Sequence, residues 1–498
     1  MEIEIAVALV ATFLTAYCIY VLKCYLGLRA VGNRIPGPKC RLLTDNRSII
    51  NAAGSYASFL LDLHTKYGPI ARYWDGRDLV VSIDDPKFLS EIKALRLDKR
   101  VEGLNFLKGL LGASGITFLK GEKARERRRL LHSVFSRQPF EELMPKFEEI
   151  VNRAILDWEK QCHTGNDTFE VVLEPYIHKL WMSMNEYNVF GEALGHQALG
   201  QKIEATLIFL RDLRYTRILP FSSTWKQRRD LLKEVHHEVD ELISKELRQR
   251  EHGEERKEKA GDVMSLFLST TDNNGRPAFS KEEIHDEVLT FLFGAFDNYV
   301  VISNTLWHLA KSPKCQQLAR EEVIKICGPL TPPQKASHVL QLSYVRASIK
   351  ESLRCTPVGV ATWRVTDQDQ VIVDHFIPKD TTIVVPMMAI HKNPKYWPNP
   401  EKYEPKRFLE NGEQVNEKND TPPDAQSLAF VPFGFGVRGC LGQRYALNAA
   451  AMVIAIILQR YEIEVSAQCQ EMEWVERNLG GFSKNGTKLI FKKRSSEA

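Results

Sequence analysis

The stretch Phe433-Gly434-Phe435-Gly436-Val437-Arg438-Gly439-Cys440-Leu441-Gly442 places one cysteine in a run rich in glycine. The next segment, Gln443 to Ile454, has a helical pattern, so Cys440 is predicted to lie at or just before a helix N-terminus. Unpaired amides and the positive end of the helix dipole favour a thiolate over a thiol at such a position. The glycines permit tight turns and leave space for a large, flat group against the backbone.

A single thiolate held in this way suits the axial position of a haem iron. The alternative is a glycine loop around a buried structural cysteine, which is the more common situation for an isolated cysteine. The spacing Phe-x-x-Gly-x-Arg-x-Cys-x-Gly favours the haem ligand, because it resembles the haem-binding signature of cytochromes P450. This resemblance implies haem b (iron protoporphyrin IX), with Cys440 as the iron ligand and with cofactor contacts from Phe433, Arg438 and Gly442.

The composition is that of a globular protein. The 498 residues are enough for two or three domains, or for one enzyme with an extended core. Hydrophobic residues make up 44% and charged residues 26%, which argues against global disorder. The net charge of +4 gives no reason to expect a nucleic-acid partner. The nine cysteines include no Cys-x-x-Cys pair, so neither a zinc site nor a disulfide framework is indicated, and a reducing compartment fits.

The N-terminus is predicted to be a membrane anchor. Residues Ile5 to Leu22 carry no charge, and at the helical rise this run covers about 27 Å, enough to cross a bilayer. Glu2 precedes it, and Lys23 and Arg29 follow it, so the basic side should remain cytoplasmic. A cleaved signal peptide is the alternative, but the first residues are acidic and the run is long for a signal.

We therefore predict an anchor at residues 1–24, a basic, proline-containing hinge at 25–40 and a catalytic domain at 41–498. The hinge includes Ile35-Pro36-Gly37-Pro38, in which proline restricts the backbone.

The rest of the chain predicts a mainly α protein with small β-sheets. Ser280 and Glu283 have the spacing of a capping box that starts a helix. A β-hairpin is predicted from the runs Ile70–Trp74 and Leu79–Ile83, which flank Asp75-Gly76-Arg77. Further strand-like runs occur at 371–373, 381–385 and 487–491.

A second motif lies in the helical pattern Ile349 to Arg354. Glu351 and Arg354 are three residues apart, so they share a helix face and can pair. Alone this would be an ordinary helix ion pair. It also resembles the Glu-x-x-Arg motif of cytochromes P450, and the resemblance implies a buried charge network of Glu351, Arg354 and Arg407.

Haem carries two propionates, and the planar fork of arginine binds a carboxylate with two hydrogen bonds. By the same resemblance, Arg128, Arg364 and Arg438 match the positions that hold the propionates. Ala124 stands where the family usually has tryptophan, so one contact at the haem edge is expected to be missing or replaced. The basic run Arg125–Arg129 is otherwise expected to be a solvated helix face that suits an acidic redox partner.

Leu289 to Leu309 has the pattern of one long apolar helix. A plain core helix is the simple interpretation, whereas the resemblance implies that this helix crosses the distal face of the haem. Gly294, Ala295 and Asp297 fit the family pattern, but Asn298 replaces its threonine. Asparagine has no hydroxyl proton to relay, so Asp297 is the expected proton source. We take Asp297 and Asn298 as the candidate catalytic pair.

The resemblance covers nearly the whole chain and implies a membrane-anchored animal-type cytochrome P450, with the P450 fold behind an N-terminal transmembrane helix. The stretch Tyr56–Ile83 further resembles the orphan P450 family 20. The implied location is the endoplasmic reticulum membrane, with a single membrane pass and a cytosolic catalytic domain.

The implied function is a haem-thiolate monooxygenase that inserts one atom of O2 into a lipophilic small molecule. Electrons would come from NADPH through a reductase, with or without cytochrome b5. Asn298 leaves a reductase-independent isomerase or dehydratase of an oxygenated lipid as an alternative, and a non-catalytic haem-binding protein is a third. The side chains expected to line an apolar pocket include Phe106, Leu110, Phe221, Phe293 and Phe296.

Overall fold

The computed structural model describes residues 2–41, 44–137, 140–162, 167–191, 197–212, 220–252, 262–272, 274–410, 427–472, 474–477 and 480–494. Helices dominate these residues and the strands are short, so the predicted fold class is confirmed.

The helices are α1 (Glu2–Gly32), α2 (Arg47–Ala52), α3 (Tyr56–Tyr67), α4 (Pro86–Ala94), α5 (Lys108–Leu111), α6 (Gly121–Arg137), α7 (Phe140–Cys162), α8 (Leu173–Phe190), α9 (Gln197–Asp212), α10 (Ser223–Glu251), α11 (Val263–Ser269), α12 (Lys281–Phe296), α13 (Asn298–Lys311), α14 (Pro313–Cys327), α15 (Ala336–Gln341), α16 (Ser343–Cys355), α17 (Met387–Lys392), α18 (Arg407–Glu410) and α19 (Gln443–Arg460). The strands are β1 (Ile70–Asp75), β2 (Asp78–Ile83), β3 (Asp98–Lys99), β4 (Thr168–Val172), β5 (Ala361–Val365), β6 (Gln370–Ile372), β7 (His375–Ile377), β8 (Thr382–Pro386), β9 (Tyr461–Val465), β10 (Trp474–Arg477), β11 (Gly480–Ser483) and β12 (Lys488–Lys493).

The chain divides into two compact units. The first unit contains residues 1–100, 359–400 and 419–438, and the second contains residues 101–358, 401–418 and 439–498.

The first unit is built on a five-stranded sheet in the order β1-β2-β8-β5-β3, with a separate β6–β7 hairpin. The predicted hairpin is confirmed, because β1 and β2 pair antiparallel from Ile70 opposite Ile83 to Asp75 opposite Asp78. Strand β2 then pairs in parallel with β8. Apolar side chains of the sheet and of neighbouring helices form its core, among them Trp74, Val81, Ile83, Leu89, Ile383 and Val385.

Helix α1 continues beyond Cys24, the predicted end of the anchor, as far as Gly32. Its segment Leu9–Gly32 is long and apolar enough to cross a membrane. At its C-terminal end Arg29 is buried, with its guanidinium 4.1 Å above the ring of Trp74. The cation–π contact holds the end of the helix against the β1–β2 hairpin.

The predicted proline hinge is packed against strand β1. The Arg72 amide donates to the Pro36 carbonyl at 2.7 Å, and the buried Arg72 side chain donates to the Pro38 carbonyl at 2.5 Å. A Cβ at Gly37 would lie 2.1 Å from the Arg72 carbonyl oxygen, so only glycine fits this approach. This connection is therefore fixed to the sheet by hydrogen bonds.

The second unit is mainly helical, with a three-stranded sheet in the order β4-β12-β9 and the hairpin β10–β11. Helix α19 is buried along nearly its whole length from Leu447 to Gln459. The capping box predicted for α12 is confirmed, since Ser280 Oγ accepts from the Glu283 amide and Glu283 Oε2 accepts from the Ser280 amide. The long apolar helix expected from Leu289 to Leu309 is instead interrupted at Asp297, between α12 and α13.

The segment before α6 packs closely against helix α12, and this close packing requires glycine at position 112. Gly112 has φ +71°, and a Cβ there would lie 1.9 Å from the carboxyl group of Asp286. Asp286 cannot move away freely, because it is buried and accepts from the Ser114 amide at 2.8 Å.

We expect Gly112→Ala to lower the free energy of unfolding by about 2–4 kcal/mol, because it adds left-handed strain and displaces a bonded carboxylate. The matched control is Gly121→Ala. Gly121 has φ +57°, but nothing lies within 4 Å of its added Cβ, so this variant should cost about 1 kcal/mol. Urea unfolding followed by circular dichroism makes the comparison. Equal losses in the two variants would contradict the close approach at Asp286.

Candidate active site

The loop before helix α19 is shaped by two glycines. Gly434 and Gly436 have φ values of +69° and +64°, which glycine adopts without steric cost. A 3₁₀ turn follows from Gly436 to Arg438. Phe433 is half-buried in the turn that precedes them. The first unit ends with this turn at Arg438, and Gly439 begins the next segment of the second unit.

Cys440 lies just ahead of α19, which begins at Gln443 with Gly442 as its N-cap residue. The Cys440 side chain is exposed and forms no disulfide, whereas the other described cysteines beyond α1 are half-buried or buried. Arg128 of α6 donates to the Gly439 carbonyl at 2.8 Å, next to Cys440 in the sequence. An exposed cysteine at a helix N-terminus fits a metal ligand better than a structural cysteine.

Arg364, on β5, is a buried cation in the first unit. It donates to the Phe435 and Trp363 carbonyls, each at 2.9 Å, and to Thr362 Oγ1 at 2.8 Å. These three oxygens are uncharged acceptors, and their hydrogen bonds hold the guanidinium in place.

Arg438 lies near Arg364 in the same unit. Its Nη1 is 3.2 Å from Asp98 Oδ1, and Asp98 lies on β3, which pairs with the strand that carries Arg364. Burial lowers the pKa of Arg438, and the charge of Asp98 opposes that shift. Strand β3 therefore lies next to both Arg364 and Arg438, two of the three arginines predicted to hold the propionates.

The predicted charge network has three members within the second unit. Glu351 and Arg354 are completely buried on α16, and two guanidinium nitrogens of Arg354 donate to the two carboxylate oxygens of Glu351 at 2.8 Å each. The Arg407 Nε lies 3.3 Å from Glu351 Oε1. Burial works against the charge of Arg354, but the hydrogen bonds with Glu351 raise its pKa above the ordinary value.

The network also holds a loop. The Glu404 amide donates to Glu351 Oε1 at 2.9 Å, and Arg354 Nη2 donates to the Lys402 carbonyl at 3.1 Å. The segment before Arg407 is therefore attached to α16 through both backbone and side-chain bonds.

The candidate catalytic pair lies at the joint between α12 and α13. Asp297 ends one helix and precedes the other, with φ −83° and ψ −2°. It retains some exposed surface, yet burial in the surrounding protein raises the pKa of its carboxyl group to about 6. The Nδ2 of Asn298 is buried without a hydrogen-bond partner. Asp297 can therefore exchange a proton near neutral pH, and Asn298 has a donor to offer a ligand.

Helix α8 contributes residues at this joint that the sequence did not single out. The indole of Trp181 donates to the Ala295 carbonyl at 2.6 Å. The ring of His178 packs edge-on against Phe296 and Tyr299, with centroid distances of 4.9 Å to each. The only available sequence signal was their three-residue spacing, which places them on one helix face but does not say what they contact.

The basic run Arg125–Arg129 was expected to be a solvated helix face, and for Arg127 this expectation is wrong. Arg127 is buried and pairs with Glu283 and Glu287 of α12, with Nη1 3.0 Å from Glu287 Oε1. Arg125 and Arg129 are exposed, as expected for a solvated face. Ala124 is buried in the apolar cluster of this unit.

The predicted apolar side chains have two different environments. Leu110 is fully buried, and Phe106, Phe293 and Phe296 pack against the apolar cluster of the second unit. Phe221 instead lies at the surface with 89% of its area exposed. The family resemblance also places the stretch 203–221 at the pocket, and residues 213–219 of this stretch lie outside the described residues.

Comparison with known proteins gives a consistent result. A family model described as Cytochrome P450 matches residues 42–491. Cytochrome P450 4F5 of Rattus norvegicus is 28% identical over 407 residues, which cover 77% of this chain and 75% of that protein. Cytochrome P450 734A6 of Oryza sativa subsp. japonica is 26% identical over 468 residues, with 86% and 81% covered. Cytochrome P450 4F3 of Homo sapiens is 26% identical over 448 residues, with 86% and 84% covered.

We expect Glu351→Ala to lower the free energy of unfolding by about 3–5 kcal/mol, because it leaves the Arg354 charge buried without its carboxylate. The matched control is Glu149→Ala, since Glu149 pairs on the surface of α7 with Lys146 and Arg153, each at 2.7 Å. That change should cost less than about 0.5 kcal/mol. Urea unfolding measures both variants. A loss below about 1 kcal/mol for Glu351→Ala would show that the buried pair adds little.

We expect Asp297→Asn to be more stable than the natural protein at neutral and alkaline pH, and equally stable at acidic pH. The folded-state pKa of Asp297 is raised from 3.8 to about 6, so the folded protein holds this proton more tightly than the unfolded chain. Stability is therefore lost as pH rises through this interval. The variant should be more stable by up to about 3 kcal/mol at about pH 8, and equally stable below about pH 4. Denaturant unfolding at both pH values tests this, and a difference that is the same at both pH values would contradict it.

Proposed function

Because this chain belongs to the cytochrome P450 family and is a haem monooxygenase, we propose that it inserts one oxygen atom from O2 into a lipophilic small molecule, with electrons from NADPH delivered through a membrane-bound reductase. The observation that carries the proposal is the exposed Cys440 thiol at the head of α19, within a complete Phe-x-x-Gly-x-Arg-x-Cys-x-Gly motif. Cytochrome b5 is a further candidate electron donor.

Cys440 would ligate the iron, and bound haem would supply the oxygen-activating chemistry. Arg128, Arg364 and Arg438 would hold the propionates, because buried or half-buried guanidinium groups bind carboxylates with paired hydrogen bonds. Phe433 and Gly442 would contact the cofactor from the cysteine loop. The Glu351–Arg354–Arg407 network supports this arrangement by fixing the loop that contains Lys402 and Glu404.

Asp297 would hold and release the proton that the reaction requires. Its raised pKa lets the carboxyl group hold and release a proton near neutral pH, which suits a general acid. Asn298 would orient a ligand or water with its buried amide, since it has no hydroxyl to relay a proton.

A lipophilic substrate is supported by the apolar side chains around the α12–α13 joint. Phe293 and Phe296 lie on α12 just before Asp297, and Phe106 and Leu110 belong to the same apolar cluster. Aromatic and aliphatic linings favour ligands that leave water readily.

We further propose a single-pass protein of the endoplasmic reticulum membrane, with residues 1–24 as the anchor, 25–40 as the connection and 41–498 as a cytosolic catalytic domain. The apolar segment Leu9–Gly32 supports the anchor. The exposed Arg125 and Arg129 on α6 suit an acidic redox partner.

One alternative has a specific observation in its favour. Asn298 stands where the family usually has a threonine hydroxyl, so a proton relay through this residue is missing. Rearrangement of a peroxide substrate needs no such relay, because the substrate already contains the oxygen atom that is transferred. Such an isomerase or dehydratase would convert a lipid hydroperoxide without NADPH or reductase. Turnover of lipid hydroperoxides under those conditions, together with no reductase-dependent oxygen consumption, would favour this activity over the monooxygenase.

We expect Cys440→Ser to lose the strongly red-shifted Soret band that the reduced, CO-bound protein shows with a thiolate ligand. Cys327→Ser, at the half-buried end of α14, should keep that band and serves as the control. A difference spectrum of the reduced protein with and without CO measures both. Retention of the band in Cys440→Ser would remove Cys440 from the iron.

A further inference from the structure

A surface cleft of about 320 Å³ lies within the second unit. Its walls come from α7, the segment that follows α14, the end of α19 and the strands β9 and β12. None of the described residues that line it belongs to α12, α13 or the loop that carries Cys440. Small-molecule sites in proteins occupy about 300–1,000 Å³. The cleft is therefore large enough for a small ligand, at a place that the proposed function does not use.

Hydrogen bonds hold the walls of this cleft in place. The buried Gln459, at the end of α19, donates from Nε2 to the Gly328 and Thr331 carbonyls, each at 2.8 Å. These two bonds attach the segment after α14 to α19. On β12 the Arg494 amide donates to the Arg460 carbonyl at 2.9 Å, and β12 pairs with β9. The cleft is thus preformed, so a ligand does not have to order its walls.

Part of the cleft lining is apolar. Leu156 of α7 and Leu330 of the segment after α14 both line the cleft, with 52% and 62% of their surface exposed. Ile155 and Pro329 also belong to the lining. A single exposed leucine is ordinary, but two in one cleft form a surface that an apolar ligand can cover. Covering them removes apolar area from water, which is favourable.

The same lining is rich in cations. Arg460, Lys493 and Arg494 are basic, and Glu159 is the one acid among the described lining residues. The carboxylate of Glu159 is bound within the cleft, because its Oε1 accepts from the Tyr461 hydroxyl at 2.6 Å and lies 3.4 Å from Lys493 Nζ. The described lining therefore carries a surplus of positive charge.

Arg460 is placed to bind an anion. Its Nη2 donates to Asn152 Oδ1 at 2.5 Å, and this acceptor is uncharged. Among the described residues, no carboxylate forms an ion pair with Arg460. A guanidinium has several N–H donors in one plane, and it binds a carboxylate with two parallel hydrogen bonds. Arg460 can therefore hold a ligand carboxylate at the cleft.

A neighbouring arginine adds to the positive charge. Arg320 of α14 donates to the Tyr461 carbonyl at 3.0 Å, so it lies beside the lining. Burial lowers the pKa of Arg320, the charge of Arg494 lowers it further, and the charge of Glu462 opposes the shift. An anion in the cleft would relieve the repulsion between Arg320 and Arg494.

We propose that this cleft is a binding site for a small amphiphilic carboxylate, whose anionic group pairs with Arg460 and whose apolar body packs on Leu156 and Leu330. The site is separate from the proposed oxygenation site and does not depend on the proposed function. The arginine fork matches the planar geometry of a carboxylate. The two leucines favour an organic anion over an inorganic one, because only the organic anion covers them.

The test uses the full-length, haem-loaded protein and a benzoate that carries a trifluoromethyl diazirine as photoreactive group. After irradiation and digestion with trypsin, mass spectrometry locates the label. We expect it in peptides 154–160 and 326–335, which contain Leu156 and Leu330. Octanoate should reduce this labelling at least about fivefold, whereas octanamide, which has no charge, should leave it within about twofold.

Arg460→Gln removes the charge and keeps a side-chain amide for Asn152. It should reduce labelling of the two cleft peptides at least about fivefold. Arg276→Gln is the matched control, since Arg276 is an exposed arginine outside the cleft, and labelling should stay within about twofold. Peptide 282–311, from α12 and α13, identifies any probe bound near Asp297, and its labelling should be the same in all three proteins.

If Arg460→Gln folds poorly, Leu330→Ser tests the apolar part of the site at an exposed position. This variant should raise the octanoate concentration that gives half protection about threefold or more. Absence of label from both cleft peptides overturns the proposal, as does displacement by octanamide as effective as that by octanoate. Protection by inorganic phosphate at the concentration that suffices for octanoate also contradicts it, because the apolar body would then contribute nothing.

Discussion

The carboxylate of Glu351 is the buried charge on which the cysteine-bearing unit depends. A charge without contact with water is tolerated only when its partners replace the lost hydration. Glu351 obtains these partners from Arg354 on its own helix and from the Glu404 amide, while Arg407 approaches at 3.3 Å. Because Arg354 lies on the same helix, while Glu404 and Arg407 lie in one segment about 50 residues further along the chain, these bonds attach that segment to the helix. The same unit carries Cys440 at the head of α19.

The two candidate halves of the active site are built on different physical principles. The cysteine loop relies on backbone conformation, with Gly434 and Gly436 at positive φ and with Cys440 at a helix N-terminus. The joint at Asp297 relies on packing, since Trp181 and His178 reach it from another helix. A backbone requirement is visible in the sequence as glycine. A packing requirement leaves no such mark, because tryptophan and histidine in an apolar helix face are also ordinary core residues.

This difference explains which expectations held. The β1–β2 hairpin and the capping box at Ser280 depend on neighbouring residues, and both were predicted correctly. The uninterrupted helix expected over Leu289–Leu309 was wrong, because periodicity reports which face is apolar but not whether a carbonyl finds a partner outside the helix. Arg127 was placed on a solvated face for a similar reason. Its acceptors, Glu283 and Glu287, lie more than 150 residues away in the chain.

The sequence by itself determined the family, the glycine–cysteine loop and the identity of the charged residues in the Glu351 network, because fixed spacings and obligatory residue types express them. It also determined that Asn298 stands where an alcohol is usual. Only the tertiary structure decided that Asp297 lies at a joint between two helices, that its pKa is raised, and that Trp181 bonds the backbone beside it. These properties arise from desolvation and from hydrogen bonds between segments far apart in the chain, which no local pattern of residues specifies.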